Sequence, residues 1–90
     1  MDLGFIKLHR ELLHTGMPLR EVALYGFIEA TSNKYGYSKS HNGYFASELN
    51  CSTRVITSLI TKLEKQGYIY IIDPKSFKRK IYLKVKFPCR

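Results

Sequence analysis

Residues 51–73 read CSTRVITSLITKLEKQGYIYIID, and the change of rhythm inside this stretch decides the fold. Val55, Ile56, Leu59, Ile60 and Leu63 recur at steps of three and four, the period of a helix with one apolar side. Ser52 stands where an N-cap belongs, and Gly67 stands where a helix ends on a left-handed residue. Beyond Gly67 the period falls to two. Tyr68 to Ile72 is aromatic and β-branched, Asp73 to Phe77 carries turn residues, and Arg79 to Phe87 alternates with Ile81, Leu83, Val85 and Phe87 on one face. The other face is Lys80, Tyr82, Lys84 and Lys86, so such a hairpin covers a core with one side and turns charge outward with the other.

Toward the N-terminus, Tyr44, Phe45, Ala46 and Leu49 fit a short helix capped by Ser40 or Asn42 and closed by Asn50-Cys51-Ser52. Two helices joined by so tight a turn make a helix-turn-helix. The stretch from Lys34 to Gly43 is polar, rich in Gly, Ser and Tyr, and reads as a loop. Before it, Pro18 suits a first helical turn, and Val22, Ala23, Tyr25, Phe27, Ile28 and Ala30 supply an apolar stripe that fades at about Asn33. Phe5, Ile6, Leu8, Leu12 and Leu13 form a short helix with an extended lead-in, stopped by Thr15-Gly16-Met17-Pro18. His9 and His14 flank its leucines and are expected at the surface. The expected fold class is α+β: a winged helix-turn-helix of three to four helices plus a C-terminal β-hairpin wing, filling residues 1–90 as a single domain.

Composition narrows the partner. Fifteen Lys and Arg against seven Asp and Glu leave a formal charge of +8, which favours a polyanion. After Asp73 there is no acid, while Lys75, Lys78, Arg79, Lys80, Lys84, Lys86 and Arg90 crowd the tail; a second acid-free stretch runs from Ala30 to Ser47. The two cysteines, Cys51 and Cys89, form no Cys-x-x-Cys pair and hold no ligand spacing with His9, His14 or His41, so neither a metal site nor another cofactor is expected. Met1 to Leu13 is broken by Asp2, Lys7, His9, Arg10 and Glu11 and fits neither a signal peptide nor a membrane span. A cytoplasmic protein with free thiols is the expectation. Ser, His and acidic residues are scattered, no Gly-rich phosphate loop occurs and no helix carries paired carboxylates, which argues against an enzyme, catalytic residues or a small-molecule substrate.

The run Tyr44-Phe45-Ala46-Ser47-Glu48-Leu49-Asn50-Cys51-Ser52-Thr53-Arg54-Val55-Ile56, with Leu63-Glu64-Lys65-Gln66-Gly67-Tyr68-Ile69, resembles the winged-helix domains of phage and plasmid replication initiators and replisome organisers. The opening Gly4-Phe5-Ile6-Lys7-Leu8 is similar to theirs, so the resemblance covers nearly the whole chain. MarR-like and GntR-like repressors share the same helix and exit. Phe45 departs from the pattern by taking a usual leucine place, and Val55 by taking a place usually polar and DNA-facing. The resemblance implies an origin-binding domain or a small transcriptional regulator, and an initiator of this kind carries a further domain beyond the winged helix.

The residues themselves suggest where duplex DNA would lie. With Val55, Ile56, Leu59, Ile60 and Leu63 mostly inward, Ser52 at the cap and Thr53, Arg54, Thr57, Ser58 and Thr61 line the other side, which is short, polar and free of acid. Such a side fits the major groove, with Arg54 at a guanine edge and threonine methyls at thymine; the plain alternative is a solvated helix face. Ser40, His41 and Asn42 start the preceding helix, where amides and dipole favour a phosphate. Lys75, Lys78 and Arg79 lie at the wing tip as phosphate contacts, whereas Lys84 and Lys86 equally suit solubility and edge-strand protection. Tyr35, Tyr37 and Tyr44 either stack on single-stranded bases or pack on a helix flank. Leu8, Leu12 and Leu13 are either core or the interface of a homodimer matched to two half-sites. A reading from another class is a protein-interaction module, for example a phage-encoded inhibitor, that binds an acidic protein surface rather than DNA.

Overall fold

Every residue from Glu21 to Ile28 is buried, and a helix buried on all sides belongs at the centre of its domain. A computed structural model, which describes residues 2–3, 6–76 and 78–84, gives the surroundings of this helix. In chain order these residues form β1 (Asp2–Leu3), β2 (Ile6–Lys7), α1 (Arg10–His14), α2 (Leu19–Ala30), β3 (Tyr37–Ser38), α3 (Asn42–Leu49), α4 (Thr53–Lys65), β4 (Ile69–Ile72) and β5 (Lys80–Leu83). Helix α2 packs against α1, α3, α4, β2, β3 and β5. Four helices followed by an antiparallel hairpin within a three-stranded sheet make the winged-helix arrangement that the change of period predicts. Phe5, Phe77, Val85, Lys86, Phe87, Cys89 and Arg90 lie outside the described residues.

The helix-turn-helix is built by its caps. Helix α3 ends on Asn50, which adopts the left-handed conformation (φ +53°), and Cys51 N–H donates to Ala46 O at 3.0 Å. That six-to-one bond closes the helix as a Schellman turn and leaves Ser52 to start the next one. Ser52 Oγ accepts from Val55 N–H at 3.2 Å. From there Ile56, Leu59, Ile60 and Leu63 are buried and Val55 is half-buried against the core. Each of the four buried side chains removes enough apolar surface to contribute roughly 1.5–3 kcal/mol before conformational entropy is counted.

The sheet runs β3-β5-β4, antiparallel throughout, with Ser38 and Ile71 opposite Ile81 and with Tyr37 and Tyr70 opposite Tyr82. Ile69 and Ile81 face the core. The first of these strands corrects the sequence expectation of a loop from Lys34 to Gly43. Only two residues pair, too few to show an alternating pattern, and they do so because Asn33 reverses the chain: its Oδ1 accepts from Tyr35 N–H at 2.9 Å and its N–H donates to Tyr37 O at 2.9 Å.

Three further expectations need correction. Helix α2 stops at Ala30 rather than near Asn33, because Thr31 Oγ1 donates to Phe27 O at 2.7 Å and Ser32 Oγ to Ile28 O at 2.8 Å, taking up the last carbonyls. The cap of α3 is His41, not Ser40 or Asn42: its Nδ1 accepts from Tyr44 N–H at 3.3 Å. Gly43 permits this, since a Cβ there would lie 3.0 Å from that nitrogen. His9, expected at the surface, is buried; it precedes α1 in extended conformation, sets its ring edge-on to Tyr25 and donates through Nε2 to Glu29 Oε1 at 2.8 Å. His14 is exposed. Leu8 and Leu12 belong to the core, and Leu13 is half-buried against it.

Glu21 sits within that core at 1% exposure, and its Oε1 has no hydrogen-bond partner among the described residues. Burial pushes its carboxyl above the usual range, and Lys62 partly offsets the effect. No helix of the described residues is long and apolar enough to cross a membrane.

Gly67 joins the helical part to the wing. Its φ is +83°, Tyr68 N–H donates to Leu63 O at 3.0 Å, and nothing lies within 4 Å of the place a Cβ would take. A side chain there meets no clash, only the backbone penalty, which is largest for a β-branched residue. Gly67→Val is expected to lower the unfolding free energy by more than about 1 kcal/mol in urea titration, and Gly67→Asn by less. Equal stability of wild type and Gly67→Val would remove this glycine from the wing's geometry.

Candidate nucleic-acid interface

Burying one side of α4 forces its opposite side outward. Thr53, Arg54, Thr57, Ser58 and Thr61 are exposed along the helix, with Ser52 exposed at its cap. The hydroxyls are ordered by the backbone: Thr57 Oγ1 donates to Thr53 O at 3.0 Å and Thr61 Oγ1 to Thr57 O at 2.9 Å. No acid occurs from Ser52 to Leu63.

One asparagine ties this face to the rest. Asn42 Nδ2 donates to Thr57 Oγ1 at 3.2 Å, and Asn42 Oδ1 accepts from Arg79 Nη1 at 2.8 Å. The second terminal nitrogen of Arg79 donates to Ser40 O at 2.7 Å. The fork of a single guanidinium therefore holds the turn end of the wing to the start of α3, and Asn42 holds α3 to α4. Arg79 is half-buried, and burial lowers its pKa from the usual arginine value. Its hydrogen bonds go to neutral oxygens, and among the described residues no carboxylate pairs with it. The positive charge stays uncompensated in a partly dry place, where its field reaches further than in water.

That field opens into a cleft of about 390 Å³ between residues 39–42 and residues 74–76, with Arg79 in its lining. Lys39, His41 and Lys75 line the same cleft, and no acidic residue does. The N-terminal end of α3, the positive end of its dipole, lies there too. Lys78 is exposed nearby, and its backbone N–H donates to Ser76 Oγ at 3.0 Å within the wing's turn. Lys39 from one side and Lys75 and Arg79 from the other thus line one cleft beside a helix start, an arrangement that favours an anion.

The fold thus brings Ser40, Asn42, Thr57 and Arg79 into one bonded group, with His41 and Lys75 around the adjoining cleft. Thr53, Arg54, Ser58 and Thr61 continue the surface along α4. Sequence reasoning missed Lys39, for which the acid-free run from Ala30 to Ser47 was the available sign. It also missed the structural part played by Arg79, because a contact across 37 positions leaves no local pattern. Tyr44 lies on a helix flank, edge-on to Phe27 and Phe45. No group of three His, Cys, Asp or Glu able to hold a metal ion occurs among the described residues. The chain matches no family model, no curated protein and no solved structure.

Arg79→Lys keeps the charge and loses the fork. A lysine ammonium does not reproduce the paired geometry to Asn42 Oδ1 and Ser40 O, so the substitution is expected to lower stability by about 1–2 kcal/mol in chemical denaturation. The amides of β5 should also exchange with solvent faster. A lysine variant as stable as the wild type, with unchanged exchange, would mean that Arg79 does not fasten the wing.

Proposed function

We propose that this domain binds double-stranded DNA, with α4 in the major groove and the wing tip and α3 start on the phosphates beside it. The observation that carries the proposal is the Asn42 bridge, which joins the exposed side of α4, without acid from Ser52 to Leu63, to a cationic cleft whose lining holds no acid. Short hydroxyl side chains suit close approach to base edges, Arg54 is the one long donor among them, and the cleft fits a backbone phosphate. The net charge of +8 favours the same partner.

Within this reading, the resemblance of residues 44–56 and 63–69 to replication initiators suggests the origin-binding domain of a phage or plasmid replication protein, with a small transcriptional regulator as the neighbouring choice. An acidic protein surface is the competing partner, and a titration with random duplex separates the two.

Two signatures follow from dividing the surface into reader and anchor. Arg54→Ala should weaken binding to a selected site more than to random duplex, by roughly 1–3 kcal/mol of lost discrimination in fluorescence anisotropy. Equal losses on both would take Arg54 out of base reading. Lys75→Ala with Lys78→Ala should weaken all duplexes alike and reduce the slope of log affinity against log salt by about one unit for each phosphate that is no longer neutralised. An unchanged slope would mean that the wing stands off the DNA.

A further inference from the structure

The outer face of the sheet carries a feature that the duplex surface does not use. Tyr37, Tyr82 and Tyr70 occupy one row across β3, β5 and β4, each opposite the next. Their rings form a ladder of two stacked pairs: Tyr70 and Tyr82 lie 4.8 Å apart and within 3° of parallel, Tyr82 and Tyr37 are 5.3 Å apart and tilted by 52°, and Tyr35 continues the row, stacked on Tyr37 at 6.4 Å. Both ends are open to solvent, with Tyr70 at 43% and Tyr35 at 68% exposure. Tyr70 stands on β4, one of the two edge strands of the sheet as described. A stacked pair with an exposed outer ring, as at each end of this row, is extended favourably by another flat ring.

The charge around the ladder narrows what that ring belongs to. Lys80 Nζ lies 5.2 Å from the Tyr37 ring centre and Lys34 Nζ lies 5.2 Å from that of Tyr35. Lys84 is exposed just past the end of β5, two residues beyond Tyr82, and among the described residues no acid lies on the strand face that carries Tyr37, Tyr70 and Tyr82. Flat rings edged by separated cations match a chain of flat bases joined by phosphates. In a duplex the bases are already stacked on one another and their faces are closed, so the match is to an unpaired strand.

We propose that the Tyr35-Tyr37-Tyr82-Tyr70 ladder binds single-stranded DNA by base stacking, with Lys34, Lys80 and Lys84 on its phosphates. The stacking argument uses none of the residues assigned to duplex contact; the choice of DNA over RNA rests on the proposed duplex reading. One domain would then hold a duplex on α4 and an unpaired strand on the sheet.

The test uses the full chain and four labelled probes: a 16-nucleotide deoxythymidine oligomer, the abasic oligomer of equal length, the matching uridine RNA and a random duplex. Binding is read by anisotropy and by quenching of tyrosine emission, which is unobscured because the chain has seven tyrosines and no tryptophan. The oligothymidine should quench tyrosine emission and bind at least ten times more tightly than the abasic strand. Tyr70→Ala and Tyr35→Ala, both at exposed positions, should each weaken it by roughly five- to a hundredfold while leaving duplex affinity and far-UV circular dichroism unchanged, and Tyr70→Phe should retain it. Equal binding of abasic and thymidine strands would overturn the proposal in favour of charge alone. Preference for the RNA, or indifference to both alanine variants, would overturn it as well. Since the duplex is a separate probe, loss of duplex binding with retained oligothymidine binding would refute the duplex reading and leave the ladder standing.

Discussion

Burial of one side of α4 is the constraint from which the remainder of the arrangement follows. Ile56, Leu59, Ile60 and Leu63 have to leave water together, and the helical repeat then obliges Thr53, Arg54, Thr57, Ser58 and Thr61 to face it. The all-round burial of α2 supplies the surface against which they pack, and the Schellman turn at Asn50 sets the angle at which α4 arrives. What faces outward is therefore not a free choice of surface residues but the complement of a packing solution.

A wing adds reach only if it is held in place. The hairpin's own contribution is Ile69 and Ile81 in the core, which fixes its root. Arg79 fixes its turn end against α3 through Asn42 and the Ser40 carbonyl. An arginine without a carboxylate partner serves two ends at once: its hydrogen bonds orient three elements, and its charge remains available to the adjoining cleft. Replacing that neutral cradle with an acid would make a stronger pair and cancel the field that the cleft presents.

Much of this was legible in the residues. The steps of three and four from Val55 to Leu63, the serine before them, the glycine after them and the fall to a period of two announced the helix, both of its ends and the hairpin, because each is a local rule that needs only neighbours in the chain. Three features were not legible for a common reason. The two-residue strand at Tyr37, the burial of His9 against Tyr25 and Glu29, and the Arg79 fork all depend on partners far along the chain, or on pairing too short to leave a pattern. The tyrosine row belongs with them: Tyr37, Tyr70 and Tyr82 are scattered in sequence, and only the register of β3-β5-β4 sets them side by side.

The central claim, that the exposed side of α4 and the cationic cleft beside the wing form one DNA-binding surface, is tested most directly by amide chemical-shift mapping of the labelled protein titrated with a random-sequence duplex. The largest changes are expected at Thr53, Arg54, Thr57 and Ser58 together with Ser40, Asn42 and Lys75, fading as salt is raised. Amides on α1, around Arg10 and His14, should stay in place. Changes centred on α1, or no change at any duplex concentration, would contradict the account.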